Sequence, residues 1–211
     1  MGDKITAAQI YRAMESLCDS MELNKEYLSD LDGAIGDGDH GVNMAKCFRE
    51  LKKRLPESQG RDIGTLLKNI GLVVLNSVGG AMGALYGTFF LRLAQECGGK
   101  EEIDLDGWVR MFKAGEKGIR DIGKANVGDK TMLDTLAAAV QALEKSAGQR
   151  ESLAEALKHF EEGARRGMES TKDIIARIGR ASRLGERTIG HQDAGATSCY
   201  FILKAFAQAG S

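Results

Sequence analysis

Apolar residues recur at intervals of three or four along most of the chain. The first such run extends from Ile5 to Met21, and later runs cover residues 41–55, 63–77, 81–97, 105–122, 131–147, 151–178 and 194–209. This spacing places the apolar side chains on one face of an α-helix. The pattern therefore predicts about eight helices.

Strand signals are nearly absent, because no segment alternates polar and apolar residues with β-branched enrichment. The connections between the helical runs are short, which favours antiparallel packing of consecutive helices in an up-and-down bundle. We therefore predict one all-α domain spanning residues 1–211.

Composition narrows the class of protein. Hydrophobic residues make up 43% of the chain and charged residues 28%, with a formal net charge of -1. This balance is ordinary for a globular protein and gives no field that attracts nucleic acid or an anionic membrane. No apolar run is long enough to cross a bilayer. The four scattered cysteines indicate neither a disulfide framework nor a zinc site, so a cytoplasmic protein is expected.

Candidate chemistry lies in the loops, where many of the 27 glycines are found. The loop at residues 31–41 carries Asp32, Asp37 and Asp39, separated by glycines that permit sharp bends. Three carboxylates this close repel one another unless a cation lies among them, and oxygen ligands suit Mg²⁺. An equally weighted alternative is that Asp39 caps the following helix while the other two are solvated.

Two further loops are polar or rich in glycine. At residues 77–88, glycines at a helix start could admit a phosphate, although the spacing of Gly79, Gly83 and Gly87 favours close helix packing. Residues 177–198 contain four arginines suited to phosphate contact, and Asp193 stands where an N-cap is expected. A solvated surface is the alternative for that segment. Near residue 131, Thr131 and Asp134 form a capping-box pattern.

Four motifs together resemble a known family. They read D…GDxDHGxNM at 32–44, SVGGA at 77–81, GDKTM at 128–132 and GER…GHQDxGATS at 185–198. In this order they resemble the nucleotide-binding L subunits of bacterial dihydroxyacetone kinases and the equivalent C-terminal domains of single-chain dihydroxyacetone kinases. The resemblance runs along nearly the whole chain.

The resemblance implies a closed barrel of eight antiparallel helices, with ADP or ATP and two Mg²⁺ ions in the loops at one end. It implies that the metal ligands are Asp32, Asp37 and Asp39. The implied nucleotide-binding residues are His40, Gly41, Val42, Asn43, Ala81, Met82, Gly123, Met132, Arg180, Asp193, Ala194 and Gly195. One departure is Met82, which stands where a small or hydroxyl residue is expected, so that only its backbone could bind phosphate.

The implied activity is phosphoryl transfer from the nucleotide to dihydroxyacetone held on a separate K subunit, so no catalytic residue is assigned to this chain. In one mode ADP stays bound as a coenzyme and is rephosphorylated by a phosphotransferase-system M subunit, and in the other ATP is exchanged. A homodimer is also expected. The alternatives are a kinase subunit for another short ketose such as erythrulose and a non-catalytic ADP-sensing regulatory module.

Overall fold

Helices make up most of residues 4–210, the part of the chain that this computed structural model describes. Within that part the α-helices are α1 (Ala7–Leu23), α2 (Lys25–Ile35), α3 (His40–Arg54), α4 (Ile63–Ser77), α5 (Gly80–Glu96), α6 (Leu105–Gly123), α7 (Met132–Gly148), α8 (Leu153–Ser170) and α9 (Ala194–Gln208). Two short strands, β1 (Lys4–Thr6) and β2 (Glu102–Asp104), pair antiparallel with Ile5 opposite Ile103. The all-α prediction is confirmed.

Eight of these helices form a closed ring. Helix α1 packs on α3, each helix from α3 onward packs on the next, and α9 packs back on α1. The inside of the ring holds an aromatic cluster, in which the Phe112 ring lies 4.6 Å from Phe160 and 5.2 Å from Phe206. All three rings are fully buried. Burial of such large apolar side chains is the main force that holds the ring closed.

Helix α2 was not predicted from the sequence, where residues 31–41 were treated as a loop. It lies outside the ring and packs on α3 and α9. Leu28 and Ile35 are its buried residues. An amphipathic stripe this sparse gives little periodic signal, and the Asp and Gly residues near its end are typical of turns.

The predicted helix over 151–178 is also too long. Helix α8 ends at Ser170, and a short 3₁₀ turn, Thr171–Asp173, leads into extended backbone at Ile174. The apolar spacing continues through Ile174 and Ile178, but the carbonyl groups of Thr171 and Ile174 bind the ammonium group of Lys130. That interaction replaces the helical hydrogen bonds that would otherwise continue.

Neighbouring helices run in opposite directions. Helices α3, α5, α7 and α9 begin at the same end of the ring, where α2, α4 and α6 finish. At the opposite end, Thr6, Asp62, Asp104 and Ser152 cap the starts of α1, α4, α6 and α8 with their side chains. No helix within residues 4–210 is both long and apolar enough for a membrane span.

Candidate functional site

A cavity of about 600 Å³ opens at the end of the ring where α3, α5, α7 and α9 begin. It brings together all three predicted metal ligands and ten of the twelve predicted nucleotide-binding residues. The ten are His40, Asn43, Ala81, Met82, Gly123, Met132, Arg180, Asp193, Ala194 and Gly195. Residues from six separate stretches of sequence therefore meet in one place, and their binding of nucleotide stays a prediction.

Gly41 and Val42 do not line the cavity. A β-carbon at Gly41 would overlap the carbonyl oxygen of Lys25 on α2, so this glycine is required for the close approach of α3 to α2. The side chain of Val42 is 46% exposed. Both lie in the first turn of α3, where their backbone N–H groups are the atoms available to a ligand.

The carboxylates of Asp32, Asp37 and Asp39 form a cluster, with one oxygen of each lying within 4.8 Å of the others. Asp32 lies in the last turn of α2, and the other two lie in the turn that follows. That turn depends on Gly36, where a β-carbon would overlap the Asp32 carboxylate, and on Gly38, which has a φ of 75°. A side chain at either position would therefore disrupt the cluster.

The capping role considered for Asp39 is wrong. Asp39 occupies the N-cap position of α3, but its side chain accepts no capping hydrogen bond. Instead the backbone N–H of His40 donates to the carboxylate of Asp32 at 3.2 Å. The side chains of Asp37 and Asp39 are thus free of a structural capping role.

The acidic cluster fits a divalent cation. One cationic side chain, Arg180, forms ion pairs with it, contacting Asp37 and lying 3.5 Å from Asp39. Three carboxylates beside a single guanidinium leave an excess of negative charge. Closely spaced carboxylate oxygens are the ligands that Mg²⁺ prefers.

Two helix starts at the cavity lack a side-chain cap from the N-cap residue. Helix α3 follows Asp39, and α5 follows Gly79, which has no side chain. The first N–H groups of a helix favour an anion, and the positive end of the helix dipole adds to this preference. The other two helices that begin at the cavity, α7 and α9, are capped by the side chains of Thr131 and Asp193.

The glycine-rich segment before and within α5 combines open backbone at the cavity with close helix packing. A β-carbon at Gly79 or Gly80 would meet no atom within 4 Å, and both residues line the cavity. A β-carbon at Gly83 would overlap the carbonyl of Val78, and one at Gly87 would lie 2.9 Å from Leu75. The first pair therefore opens the site, and the second pair allows close packing of α5 on α4.

Arg180 is the arginine of the 177–198 segment that lines the cavity, whereas Arg177, Arg183 and Arg187 lie outside it. It begins the 3₁₀ segment Arg180–Thr188 directly after Gly179, whose φ is 77°. Its carboxylate neighbours, Asp37 first, raise the pKa of the guanidinium further above its usual value. Arg180 therefore stays charged.

Lys130 was missed as a cavity residue, although the motif at 128–132 contains it. Its side chain is buried, and its ammonium group donates to the carbonyls of Thr171, Ile174 and His191. Burial lowers its pKa below the usual value. These contacts connect the start of α7 to the segments on both sides of the arginine-containing loop. They thereby fix the position of the cavity wall that carries Arg180.

Asp193 caps α9 as predicted, with its carboxylate accepting from the N–H of Ala196 at 2.7 Å. Burial raises the pKa of Asp193 to about 6, and the hydrogen bond and Lys130 oppose that shift. The capping box of Thr131 and Asp134 is likewise present at the start of α7.

His40 contacts α9 from the start of α3. Its Nε2 lies 2.8 Å from the hydroxyl of Ser198, which lies 2.7 Å from the hydroxyl of Tyr86. Burial lowers the pKa of His40 below its usual value. Tyr86 also lines the cavity and had no signal in the sequence, because it lies two turns into a helix and reads as a core residue.

Comparison with known proteins identifies the family of this chain. The sequence pattern of the DAK2 domain family matches residues 34–208. This range includes the turn that carries Asp37 and Asp39, and the starts of α3, α5, α7 and α9 at the cavity. The chain belongs to the DAK2 domain family. The resemblance inferred from the four motifs is thereby confirmed.

Among DAK2 relatives, the chain is 42% identical over 205 residues to the ADP-binding subunit DhaL of the PEP-dependent dihydroxyacetone kinase of Escherichia coli. That match covers 97% of this chain and 98% of the relative. The chain is 40% identical over 185 residues to a subunit of the same description from Listeria innocua, covering 87% of this chain and 85% of the relative.

The DAK2 fold is also seen in a solved structure. The dihydroxyacetone kinase of C. freundii in complex with AMP-PNP and Mg²⁺ matches with a TM-score of 0.68 and 25% identity, over 94% of this chain and 33% of that one. The native form of that kinase gives a TM-score of 0.71 and 26% identity, over 94% and 34%. The chain thus corresponds to about a third of that longer kinase.

Proposed function

We propose that this chain is the nucleotide-binding subunit of a dihydroxyacetone kinase, which brings a phosphoryl donor to dihydroxyacetone held on a partner K subunit. The observation that carries the proposal is the meeting, in one cavity, of a carboxylate cluster with two helix starts that lack a side-chain cap. One feature suits a divalent cation and the other suits phosphate. The names of the full-length relatives support ADP as the nucleotide.

Asp32, Asp37 and Asp39 would hold Mg²⁺, and we propose two ions by resemblance to the family. When bound, Mg²⁺ would offset the charge of the phosphate oxygens during transfer. The carboxylate oxygens within 4.8 Å of one another are the donors available to it.

The chain's own residues bind and orient the nucleotide. The N–H groups at the starts of α3 and α5 would donate to phosphate oxygens, which places His40, Asn43, Ala81 and Met82 on the phosphate side. Such pre-oriented donors stabilise the charge that develops during phosphoryl transfer. The partly buried side chain of Met82 packs against the core, so that position would serve phosphate through its backbone.

The other wall of the cavity would hold the base and ribose. Gly123 and Met132 lie on this wall with Ile122 and Ile178, which give an apolar surface suited to a purine ring. Gly195 and Asp193 close the wall at the start of α9. Arg180 lies between this wall and the acidic cluster, which suits contact with the anionic part of the nucleotide.

The partners follow from the same proposal. The cavity would supply only the donor, so dihydroxyacetone and the groups that activate it belong to the K subunit. We favour ADP held as a coenzyme and rephosphorylated by a phosphotransferase-system M subunit, because the full-length relatives carry PEP-dependent names. A homodimer, a cytoplasmic location and a single domain over residues 1–211 complete the proposal.

The test combines binding and transfer. Native mass spectrometry of the purified chain should show bound ADP and Mg²⁺, and their removal by EDTA and gel filtration should be reversible. With K and M subunits, phosphoenolpyruvate and the general phosphotransferase proteins, the chain should support formation of dihydroxyacetone phosphate. Transfer only with added ATP would favour the ATP-exchanging mode, and turnover of erythrulose alone would favour another ketose. Nucleotide binding with no transfer to any triose or tetrose would favour the sensing module and overturn the enzyme proposal.

A further inference from the structure

The hydroxyl groups of Ser198 and Tyr86 form a buried pair beside His40. Ser198 is 0% exposed and Tyr86 is 3% exposed. The other buried side chains of α5 are apolar, and those of α9 are apolar apart from Thr197, which bonds Gln192 and the Asp193 carbonyl. Burying two hydroxyl groups costs free energy that a Phe and an Ala at these positions would avoid. The pair therefore calls for an explanation other than packing.

The distances define a connected network. The Ser198 hydroxyl lies 2.8 Å from Nε2 of His40 and 2.7 Å from the Tyr86 hydroxyl. It also lies 3.1 Å from the Ala194 carbonyl and 3.2 Å from the Gly195 carbonyl, and the Tyr86 hydroxyl lies 3.1 Å from the latter. The longer contacts to carbonyl groups are alternatives for the same two hydroxyl hydrogens.

Counting hydrogens leaves two possible directions for the network, which differ in the tautomer of His40. Ser and Tyr each have one hydroxyl hydrogen, and neutral imidazole has one N–H. If Tyr86 donates to Ser198 and Ser198 donates to Nε2, both short contacts are satisfied and the imidazole hydrogen lies on Nδ1. The reverse order, in which Nε2 donates to Ser198, Ser198 to Tyr86 and Tyr86 to the Gly195 carbonyl, satisfies the same contacts but leaves Nδ1 a bare acceptor on a residue that lines the cavity. The first order is favoured because a phenol is a stronger donor than an aliphatic hydroxyl, and because an imidazole nitrogen is a stronger acceptor than a carbonyl oxygen. A bare acceptor is repelled by an anion, whereas an N–H donor attracts it.

We propose that Ser198 and Tyr86 are positioning residues that hold His40 in its Nδ1–H form, so that this N–H donates to a phosphate oxygen of the nucleotide. The inference rests on the proposed function, in which an anionic nucleotide occupies the cavity. It adds to that function two residues that do not themselves need to touch the ligand. His40 begins α3, so its ring N–H acts beside the backbone donors of the same helix start.

The test uses Ser198→Ala and Tyr86→Phe, which remove single hydroxyl groups. The matched control is Ser146→Ala, because Ser146 is also buried and also bonds a histidine, His159, at 3.1 Å. Ser146 lies near the end of α7 opposite the cavity, roughly 20 Å from Met132 at 1.5 Å per residue. Tyr11→Phe, on α1, is the control for the loss of a tyrosine hydroxyl.

The first measurement is the ring-nitrogen NMR spectrum of the three histidines, with the His40 signals assigned from the His40→Ala variant. The wild-type chain should show His40 in the Nδ1–H form, with and without ADP and Mg²⁺. Ser198→Ala should give a mixture of both tautomers, and Ser146→Ala should leave the His40 signals unchanged. Identical His40 spectra in Ser198→Ala and the wild type would overturn the inference.

The second measurement is ADP affinity with Mg²⁺ by titration calorimetry. Ser198→Ala and Tyr86→Phe should each weaken binding by roughly three- to tenfold, as for the loss of one hydrogen bond. In a His40→Ala background, Ser198→Ala should change affinity by less than about twofold, because its effect acts through the imidazole. An equal loss in both backgrounds would assign Ser198 a packing role and contradict the proposal.

Two safeguards keep the outcomes separable. If Ser198→Ala does not fold, the same two measurements on Tyr86→Phe test the proposal, since that variant removes one oxygen from an otherwise intact ring. If the wild-type chain binds no ADP, the proposed function fails, while the ligand-free spectra of the wild type and the variants still decide whether the hydroxyl pair sets the tautomer of His40.

Discussion

Arg180 pairs with Asp37 across the mouth of the cavity, joining the loop after α8 to the turn between α2 and α3. The side chains of both residues remain partly open to water, at 63% and 45% exposure. A pair this exposed contributes little to stability. Its position between the acidic cluster and the starts of α3 and α5 fits the ligand-binding role proposed for Arg180.

Replacing Asp37 by Asn tests the metal assignment. The amide is a weaker ligand and carries no charge, so the remaining carboxylates would hold Mg²⁺ poorly. We expect ADP affinity measured with Mg²⁺ to fall by at least roughly tenfold. Asp30→Asn is the control, because Asp30 is an exposed residue of α2 outside the cluster. Equal ADP affinity in Asp37→Asn and the wild type would contradict a metal site at the cluster.

Replacing Arg180 by Ala separates binding from folding. Because the guanidinium is exposed, the nucleotide-free variant should unfold at nearly the same urea concentration as the wild type. ADP binding should weaken by roughly three- to thirtyfold, since hydrogen bonds to charged groups are worth more than neutral ones. Urea denaturation and calorimetry measure the two quantities.

Arg183→Ala is the control for Arg180, because Arg183 is an exposed residue of the same 3₁₀ segment that does not line the cavity. It should affect neither measurement. A marked loss of stability in Arg180→Ala without ligand would instead show that Arg180 supports the fold.

The sequence predicted the helices of the ring better than helix α2, which packs outside it. Seven of the apolar runs correspond to single helices within about two residues at each end, because each buries a regular stripe against two neighbours. Helix α2 packs outside the ring and offers only Leu28 and Ile35 as buried residues. Its existence depends on tertiary contact, which includes the fit of Gly41 against Lys25.

The site was predictable where the motif residues are polar and in loops, and less so where they depend on contacts between helices. Asp32, Asp37 and Asp39 could be recognised as a cluster because they are close in sequence. Tyr86 and Ser198 are 112 residues apart and meet only in the folded ring. No local pattern distinguishes a tyrosine that bonds such a partner from one that packs in a core.

The glycines around α5 give predictions about stability and about ADP affinity. Ala at Gly83 would overlap the Val78 carbonyl, so it should lower the free energy of unfolding by about 1–3 kcal/mol. Ala at Gly79 has open space and an allowed φ of -79°, so its effect on stability should stay within about 1 kcal/mol. Its methyl group would still obstruct phosphate at the start of α5, and ADP affinity should fall by roughly tenfold or more. If Gly79→Ala binds ADP as the wild type does, the phosphate does not approach this helix start.

The raised pKa of Asp193 gives a prediction about pH. Its folded-state pKa is about 6 against an ordinary value of 3.8, so the folded chain binds more protons than the unfolded chain between these values. The contribution of this group to stability is therefore complete below about pH 4 and is lost as the pH rises through 6.

Asp193→Asn isolates that contribution, because Asn is also a good N-cap and does not titrate in this range. Without nucleotide or metal, the stability of the wild type relative to Asp193→Asn should rise as the pH falls from 7 to 4, by on the order of 1 to 3 kcal/mol. Urea denaturation at matched pH values measures the difference, which cancels the titration of groups common to both chains. A difference that does not vary with pH would mean that Asp193 keeps an ordinary pKa, and hence that water reaches its carboxylate at the start of α9.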